Sequence, residues 1–143
     1  MWSLLDINVL IALLDPDHVF HQRAHDWWSK KARGWASCPL TENGLIRIMS
    51  SPSYSRARQF TVAELVALFR TFTSVTDHAF WHDSISLRDD CRFSHDRILS
   101  SKQLTDLYLL ALAIENGGRL VTFDQRIPLG AVGNAKAEHL CVL

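Results

Sequence analysis

Two hydrophobic patterns alternate along the chain. Short apolar runs bounded by turn residues are typical of buried strands, whereas longer segments with apolar residues every three or four positions are typical of amphipathic helices. The short runs predict strands over residues 2–5, 35–38, 77–81, 119–123 and 139–143. The helical spacing predicts helices over residues 8–14, 18–31, 41–49, 62–72, 83–91 and 104–116. Strands that alternate with helices in this way indicate the α/β class.

Turn and capping residues mark several element ends. The second helix is expected to end near Arg33, and Pro39 is expected to close the second strand. The helix after Pro39 is expected to open on Thr41, because threonine is a common N-cap. Thr61 followed by Glu64 has the spacing of a capping box, which predicts a helix start there.

Four acidic residues stand where an apolar run breaks or a helix begins: Asp6, Glu42, Asp106 and Asp124. In an open parallel sheet, the carboxyl ends of the strands and the amino ends of the following helices share one rim. We therefore expect these four side chains to converge there. Carboxylates that crowd into one cleft repel one another or become protonated unless a cation neutralises them. The pattern predicts a site for a divalent metal with oxygen ligands.

Each acid also has an ordinary structural explanation. Glu42 and Asp106 lie in first helical turns, where the helix dipole stabilises a carboxylate by roughly 0.3–1 kcal/mol. Asp6 suits an N-cap, and Asp124 suits a turn. Taken singly, each acid favours that explanation, but the coincidence of all four at one predicted rim favours a shared functional site.

Composition limits the class of protein. With 143 residues, 48% hydrophobic and 21% charged, the chain suits one globular domain over residues 1–143 and excludes extended disorder. The formal net charge of zero lacks the basic excess that usually accompanies nucleic-acid binding. Three cysteines, without close pairing, fit a reducing compartment and are expected to be small core residues. The chain start lacks a basic signal-peptide pattern, and no run has transmembrane length, so we expect a soluble cytoplasmic protein without membrane contact.

Three histidines share one face of the second predicted helix. His18, His21 and His25 stand three and four positions apart, a spacing that occurs in zinc sites. No cysteine or acid completes such a set in the sequence, so we expect a solvent-facing or partner-facing stripe. His78, His82 and His95 are scattered, and we expect structural roles for them.

Four motifs together resemble the signature of the PIN-domain family, in the same order and with the same spacing. They are Leu-Leu-Asp-Ile-Asn-Val-Leu at 4–10, Leu-Thr-Glu at 40–42, Leu-Thr-Asp-x-x-Leu-Leu-Ala-Leu-Ala at 104–113, and Val-Thr-Phe-Asp at 121–124. The resemblance covers essentially the whole chain and is strongest to the VapC-type ribonuclease toxins of toxin–antitoxin pairs.

That resemblance implies a three-layer α/β/α sandwich whose mostly parallel central sheet has four to five strands. It implies an endoribonuclease that depends on Mg²⁺ or Mn²⁺, with Asp6, Glu42, Asp106 and Asp124 as the acidic quartet. It also implies water as the nucleophile, which leaves a 5′ phosphate and a 3′ hydroxyl. Supporting polar residues beside the acids would be Asn8, Thr41, Thr105 and Thr122.

A ribonuclease must also hold RNA and be held in check. The cations and aromatic residue that we expect to contact RNA are Arg47, Arg56, Arg58 and Tyr54, with Arg88, Arg92, Arg97, Lys102 and Trp81 as further candidates. The resemblance implies a VapB-type antitoxin as partner and a homodimer. The apolar segments 9–14 and 62–72 either offer surface for that dimer or belong to the core.

Other classes fit less well. A haloacid-dehalogenase-like phosphatase requires an aspartate where this chain has Asn8, and a receiver domain requires a late lysine after a strand, which Lys136 does not follow. Two alternatives use the same fold. One is a housekeeping nuclease of RNA maturation, and the other is a non-catalytic module that binds RNA or another protein.

Overall fold

The computed structural model describes residues 1–31 and 34–143, and its centre is one five-stranded sheet. The strands lie in the order β3-β2-β1-β4-β5, and every adjacent pair is parallel. The strands are β1 (Ser3–Leu5), β2 (Trp35–Ser37), β3 (His78–Phe80), β4 (Arg119–Thr122) and β5 (Leu140–Val142). The sequence prediction of these strands is confirmed, with β3 and β5 at the two edges.

Five α-helices connect the strands and cover the sheet. They are α1 (Ile7–Leu14), α2 (His21–Lys31), α3 (Pro39–Met49), α4 (Val62–Ser74) and α5 (Leu104–Glu115). Helix α4 starts with the predicted capping box: Glu64 N donates to Thr61 Oγ1 (3.1 Å), and Thr61 N donates to Glu64 Oε2 (2.8 Å). Because this box satisfies orphan amides at both positions, the helix start is fixed by local sequence.

The two faces of the sheet carry separate apolar cores. On one face, Leu4, Ala36 and Leu120 pack with residues 107–113 of α5. On the other face, Leu5 and Val121 pack with apolar residues of helices α1 to α4. Consecutive strand residues point to opposite faces, so Leu4 and Leu5 enter different cores. The result is the expected three-layer α/β/α sandwich.

Several predicted boundaries are wrong, for identifiable reasons. Residues 83–91 form no α-helix and instead follow an irregular path, where Arg92 pairs with both Asp89 and Glu115. Helix α3 begins at Pro39, with Cys38 rather than Thr41 at the N-cap, because proline fits the first helical turn. Helix α2 begins at His21 rather than residue 18. Its predicted end near Arg33 lies outside the described residues.

The cysteines and apolar helices also refine the expectations. Cys38 is buried, Cys141 is partly buried, and Cys91 is exposed, so Cys91 is not the core residue predicted. No helix in the described ranges is both long and apolar enough to span a bilayer.

The direction of the chain divides the molecule into two ends. Because all strands are parallel, their carboxyl ends lie together at one end of the sheet, which we call the rim. Helices α1 and α3 start at this rim, directly after β1 and β2, and then pack back over the sheet. The carboxyl-terminal ends of these helices, Leu14 and Met49, therefore lie toward the amino ends of the strands, opposite the rim.

Candidate functional site

Asp6 is buried at the rim, where β1 ends and α1 begins. Its side chain is the N-cap of α1: Ile7 N donates to Asp6 Oδ1 (2.6 Å), and Thr122 Oγ1 donates to Asp6 Oδ2 (2.9 Å). Only 5% of Asp6 is exposed, and this burial raises the pKa of its carboxyl group despite the two hydrogen bonds. Both carboxylate oxygens are therefore fixed in position at a point where a negative charge is unfavourable.

Thr122, at the end of β4, connects two of the acids. Its buried hydroxyl donates to Asp6 and accepts a hydrogen bond from Asp124 N (3.1 Å). Asp6 N in turn donates to Val121 O (3.0 Å), which continues the pairing of β1 with β4. The register of two adjacent strands thus sets the relative position of Asp6 and Asp124, and the predicted contact of Thr122 with an acid is observed.

Asp106 approaches the same place from the other layer. It lies half-buried in the first turn of α5, and its pKa is raised to about 7 by burial and then by the negative charges of Asp6 and Asp124. Asp124 also contributes to the raised pKa of Asp6. The structure therefore brings Asp6, Asp106 and Asp124 together, and we call them the three-acid cluster.

Glu42 is held separately, in the first turn of α3. Ser37 Oγ donates to Glu42 Oε1 (2.7 Å) and also lies 2.8 Å from His78 Nε2. Burial lowers the pKa of the His78 imidazole, which favours a neutral ring. The negative charges that raise the pKa of Asp106 are those of Asp6 and Asp124, whereas the side-chain hydrogen-bond partner of Glu42 is Ser37.

The four predicted acids thus face one rim but do not form a closed cage. Across residues 1–31 and 34–143, no three His, Cys, Asp or Glu side chains are arranged so that they alone could hold a metal ion. Arg126 pairs with the cluster from its surface: its Nε lies 3.7 Å from Asp124 Oδ1, and its side chain is 90% exposed. The cluster consequently contains more negative charge than its immediate protein partners neutralise.

The other predicted supporting residues are placed differently from Thr122. The expected contact of Thr41 with an acid is not observed. Thr41 is fully buried, and its hydroxyl bonds the backbone of Cys38 instead. Asn8 is exposed and lines a cavity of about 400 Å³ beside Asp124. Thr105 is exposed and lines another cavity, of about 320 Å³, with Tyr108.

The predicted RNA contacts lie toward the other end of the molecule. Arg47 is in the last turn of α3, five residues beyond Glu42 and therefore roughly 7.5 Å farther along the helix axis. Arg56 and Arg58 follow in the next loop. The Tyr54 hydroxyl donates to Asp15, which caps the far end of α1, and burial and this bond raise the Tyr54 pKa. These four residues do not surround the three-acid cluster.

The further candidates also have structural partners. Arg92 is paired with Asp89 and Glu115, Arg97 Nη1 donates to Gly130 O (3.4 Å), and Trp81 packs against the α5 core. Lys102 differs in location: it lines a cavity of about 220 Å³ together with Asp124 and Arg126, beside the three-acid cluster.

The histidines of α2 cap a helix instead of forming a stripe for solvent or a partner. The His21 Nδ1 lies 2.7 Å from Ala12 O, and the His25 Nε2 lies 3.0 Å from Leu13 O. Carbonyl groups in the last turn of a helix lack intrahelical donors, so these rings satisfy the end of α1.

Three residues of interest were not identified from the sequence: Ser37, His78 and Arg126. The sequence does contain a signal for Arg126, because it is a cation two residues after a strand-end acid. In the structure its backbone N donates to Asp124 Oδ1 (2.8 Å). Ser37 and His78 carried none. They are 41 positions apart, and only the pairing of β2 with β3 brings them together.

Sequence comparisons identify relatives over the whole chain. Ribonuclease VapC44 of Mycobacterium tuberculosis (strain H37Rv) is 46% identical over 144 residues, which cover 100% of both chains. Ribonuclease VapC39 of the same strain is 42% identical over 125 residues, or 87% of this chain and 89% of that protein. Ribonuclease VapC38 is 38% identical over 123 residues.

Solved structures share the fold at low sequence identity. The crystal structure of VapC20 from Mycobacterium tuberculosis, a sarcin-ricin loop cleaving toxin, superposes with a TM-score of 0.59 at 14% identity and covers 87% of this chain and 92% of that one. VapBC2 from Rickettsia felis, bound to a DNA fragment from its promoter, gives a TM-score of 0.54 at 15% identity, covering 90% and 94%. The family model described as "PIN domain" matches residues 3–132. The chain therefore belongs to the PIN-domain family and, within it, to the VapC-type proteins.

Proposed function

We propose that this chain is a metal-dependent endoribonuclease and the toxin of a VapB–VapC pair. The observation that carries the proposal is the three-acid cluster, in which burial and mutual repulsion raise the pKa of Asp106 to about 7. Such a cluster destabilises a metal-free protein, so its presence calls for a function that uses the charge. The named relatives supply the reaction class, because VapC44 and VapC39 are ribonucleases.

The residues at the rim fit a hard divalent cation, Mg²⁺ or Mn²⁺. All four acids offer carboxylate oxygens, the ligands that these ions prefer. Magnesium retains several waters and usually contacts one or two carboxylates directly, so it does not require three convergent side chains. Asp6, Asp106, Asp124 and Glu42 are the residues that would hold it, directly or through its water ligands.

The chain's own residues then have distinct tasks in phosphodiester hydrolysis. A bound cation supplies compensating positive charge at the phosphate and makes water a stronger nucleophile near neutral pH. Thr122 keeps Asp6 and Asp124 in fixed positions, so little reorganisation is needed when substrate binds. Arg126 and Lys102, which flank Asp124, would contact RNA phosphates on either side. We expect 5′ phosphate and 3′ hydroxyl products.

The partners in this proposal are RNA, a VapB-type antitoxin and a second copy of the chain. The Rickettsia felis relative was crystallised as a VapB–VapC complex, which supports an antitoxin partner here. Of the two apolar segments that offer surface for a dimer, the α1 segment supplies core residues, because Val9 and Leu13 are buried. Helix α4 remains available, with Val62 55% and Leu68 40% exposed.

The decisive experiment is cleavage of a mixed cellular RNA pool by the purified chain with Mg²⁺ or Mn²⁺, and with chelator. Asp6→Asn is the test variant, and Asp26→Asn is the matched control, because Asp26 is an exposed acid on α2 that bonds Gln22. We expect cleavage that needs metal, persists in Asp26→Asn and is lost in Asp6→Asn. Metal-independent cleavage, or products ending in a 2′,3′-cyclic phosphate, would refute the mechanism.

If folded, metal-loaded protein binds RNA without cutting it, the chain is a binding module instead. Toxin and housekeeping roles separate in cells: induced expression of a toxin stops growth unless its antitoxin is co-expressed, whereas a maturation nuclease causes no such arrest.

A further inference from the structure

A buried serine connects Glu42 to the edge of the sheet. Ser37 is the last residue of β2 and is fully buried. Its hydroxyl lies 2.7 Å from Glu42 Oε1 on one side and 2.8 Å from His78 Nε2 on the other. The three side chains therefore form one continuous hydrogen-bond chain from the edge strand β3 to an acid at the rim, which we call the Glu42 chain.

The proton positions in this chain follow from the donor inventory. An ionised glutamate only accepts hydrogen bonds, and a serine hydroxyl has one proton to donate. Since Ser37 donates that proton to Glu42, the His78 Nε2 must carry a proton and donate it to the Ser37 oxygen. The geometry thus requires the Nε2–H form of the imidazole.

The histidine is itself held by aromatic packing. His78 is paired with Trp35 in the register of β2 and β3, and their ring centroids lie 4.4 Å apart. Phe69 of α4 contacts the same ring with a centroid distance of 6.3 Å. These contacts restrict rotation of the imidazole, so the donor is directed at Ser37 before any ligand binds.

We propose that Ser37 and His78 are positioning residues that orient the Glu42 carboxylate for cation binding at the rim. The Oε1 atom accepts the Ser37 proton, which leaves Oε2 as the oxygen that would be free for a hydrated ion. This inference rests on the proposed function. Partners of this type hold metal-site carboxylates in the productive orientation, and their loss typically costs about 10–100-fold in metal affinity or activity.

The alternative is that the same bonds only hold β2 against α3. Bonds with that structural role would affect folding stability, whereas positioning residues would affect Mn²⁺ affinity through Glu42 alone. A double-mutant cycle between Ser37 and Glu42, measured on Mn²⁺ affinity, separates the two, because residues that act through one group show non-additive effects.

The experiment measures Mn²⁺ affinity by water-proton relaxation, together with RNA cleavage kinetics, on a panel of variants. The test variants are Ser37→Ala and His78→Phe, each alone and combined with Glu42→Gln. The matched control is Ser3→Ala, since Ser3 is a buried serine on neighbouring β1 whose hydroxyl accepts from Arg119 at the opposite end of the strands (3.2 Å). His78→Gln is the rescue variant, because its side-chain amide retains a donor.

We expect Ser37→Ala and His78→Phe to weaken Mn²⁺ affinity and kcat by about 10-fold or more, with KM for RNA nearly unchanged. Ser3→Ala should match wild type, His78→Gln should recover most of the loss, and Ser37→Ala should add nothing once Glu42 is Gln. Full additivity in that background, or unchanged Mn²⁺ affinity in folded Ser37→Ala protein, would overturn the proposal.

Two readouts separate this proposal from the ribonuclease itself. Long-range ¹H–¹⁵N correlation of His78 should give the Nε2–H tautomer in wild type, and the Nδ1–H tautomer would contradict the chain. If wild type cuts no RNA but the Mn²⁺ cycle is non-additive, the nuclease assignment fails while Ser37 and His78 retain their positioning role.

Discussion

The two sides of the rim hold their carboxylates in opposite ways. At the junction of β1, β4 and α5, burial and neighbouring negative charge raise the pKa values of Asp6 and Asp106. Beside β2, Glu42 accepts a hydrogen bond from Ser37 and has no acid among its hydrogen-bond partners. One side concentrates negative charge, and the other fixes the direction of a single carboxylate.

This difference separates two requirements of a metal site. Charge is needed for affinity, and it costs folding stability because like charges are buried together without a counterion. Orientation is needed for geometry, and hydrogen bonds supply it at little electrostatic cost. Variants on the two sides should therefore differ in their effect on the metal-free fold as well as on activity.

The largest effect is expected from Asp106→Asn. Loss of this carboxylate should reduce cleavage on the order of 10³-fold, because the proposed cation site would lose one of its ligands. The same variant should raise the thermal midpoint of the metal-free chain, since the repulsion from Asp6 and Asp124 is removed. RNA cleavage assays and metal-free thermal unfolding measure the two effects. A lower midpoint in folded Asp106→Asn protein would show that the cluster does not store repulsion.

Thr122→Val should have the next largest effect. The substitution keeps the shape but removes the donor to Asp6 and the acceptor for Asp124 N. We expect activity to fall by about 10–100-fold. Thr122→Ser keeps the hydroxyl and serves as the control. Equal losses in both variants would assign the effect to the methyl group and its packing, not to the hydrogen bonds.

A smaller effect, confined to RNA binding, is expected from Arg126→Ala. Removing this exposed cation beside Asp124 should raise KM for RNA about threefold and reduce the salt slope of binding by about 0.7. Arg58→Ala is the comparison, because Arg58 stacks over Phe60 with 4.6 Å between its guanidinium carbon and the ring centroid, in the loop beyond α3. A larger effect of Arg58→Ala would place the bound RNA at the end of the sheet opposite the rim.

A separate effect, on stability rather than on activity, is a pH dependence of the metal-free chain. The pKa of Asp106 is raised from its ordinary value of 3.8 to about 7 in the folded chain, so between these values the folded state binds more protons than the unfolded state. Stability should thus fall as pH rises from about 4 to about 7 and then level off. Thermal midpoints at pH 5 and pH 8 measure the change, with Asp106→Asn as the reference. An identical pH dependence in both proteins would remove Asp106 as its cause.

The sequence predicted the elements whose signals are local. Apolar runs followed by acids identified the rim and placed Asp6, Asp106 and Asp124 at it, because strand ends and helix starts are visible in hydrophobic spacing. The irregular segment around residues 83–91 was misread as a helix, since its shape depends on Arg92 bonding Glu115, which is 23 positions away.

The Glu42 chain was invisible for a related reason. Ser37 and His78 look ordinary in sequence, and their contact depends on the register of β2 against β3. The RNA contacts stay a prediction: Arg47 and Tyr54 follow Glu42 closely in sequence, but α3 carries the chain away from the rim. Sequence proximity to an acid did not indicate proximity in space.

Asp6 serves at once as the N-cap of α1 and as a member of the three-acid cluster. In a selection against the activity, inactivating substitutions at Asp6 and at Asp106 should therefore differ in their effect on folding stability. Substitution at Asp6 removes a helix cap, which typically costs about 1 kcal/mol, and such proteins are more exposed to degradation. Substitution at Asp106 relieves repulsion instead. We expect inactive alleles recovered from a growth selection to retain full protein abundance more often when altered at Asp106 than at Asp6.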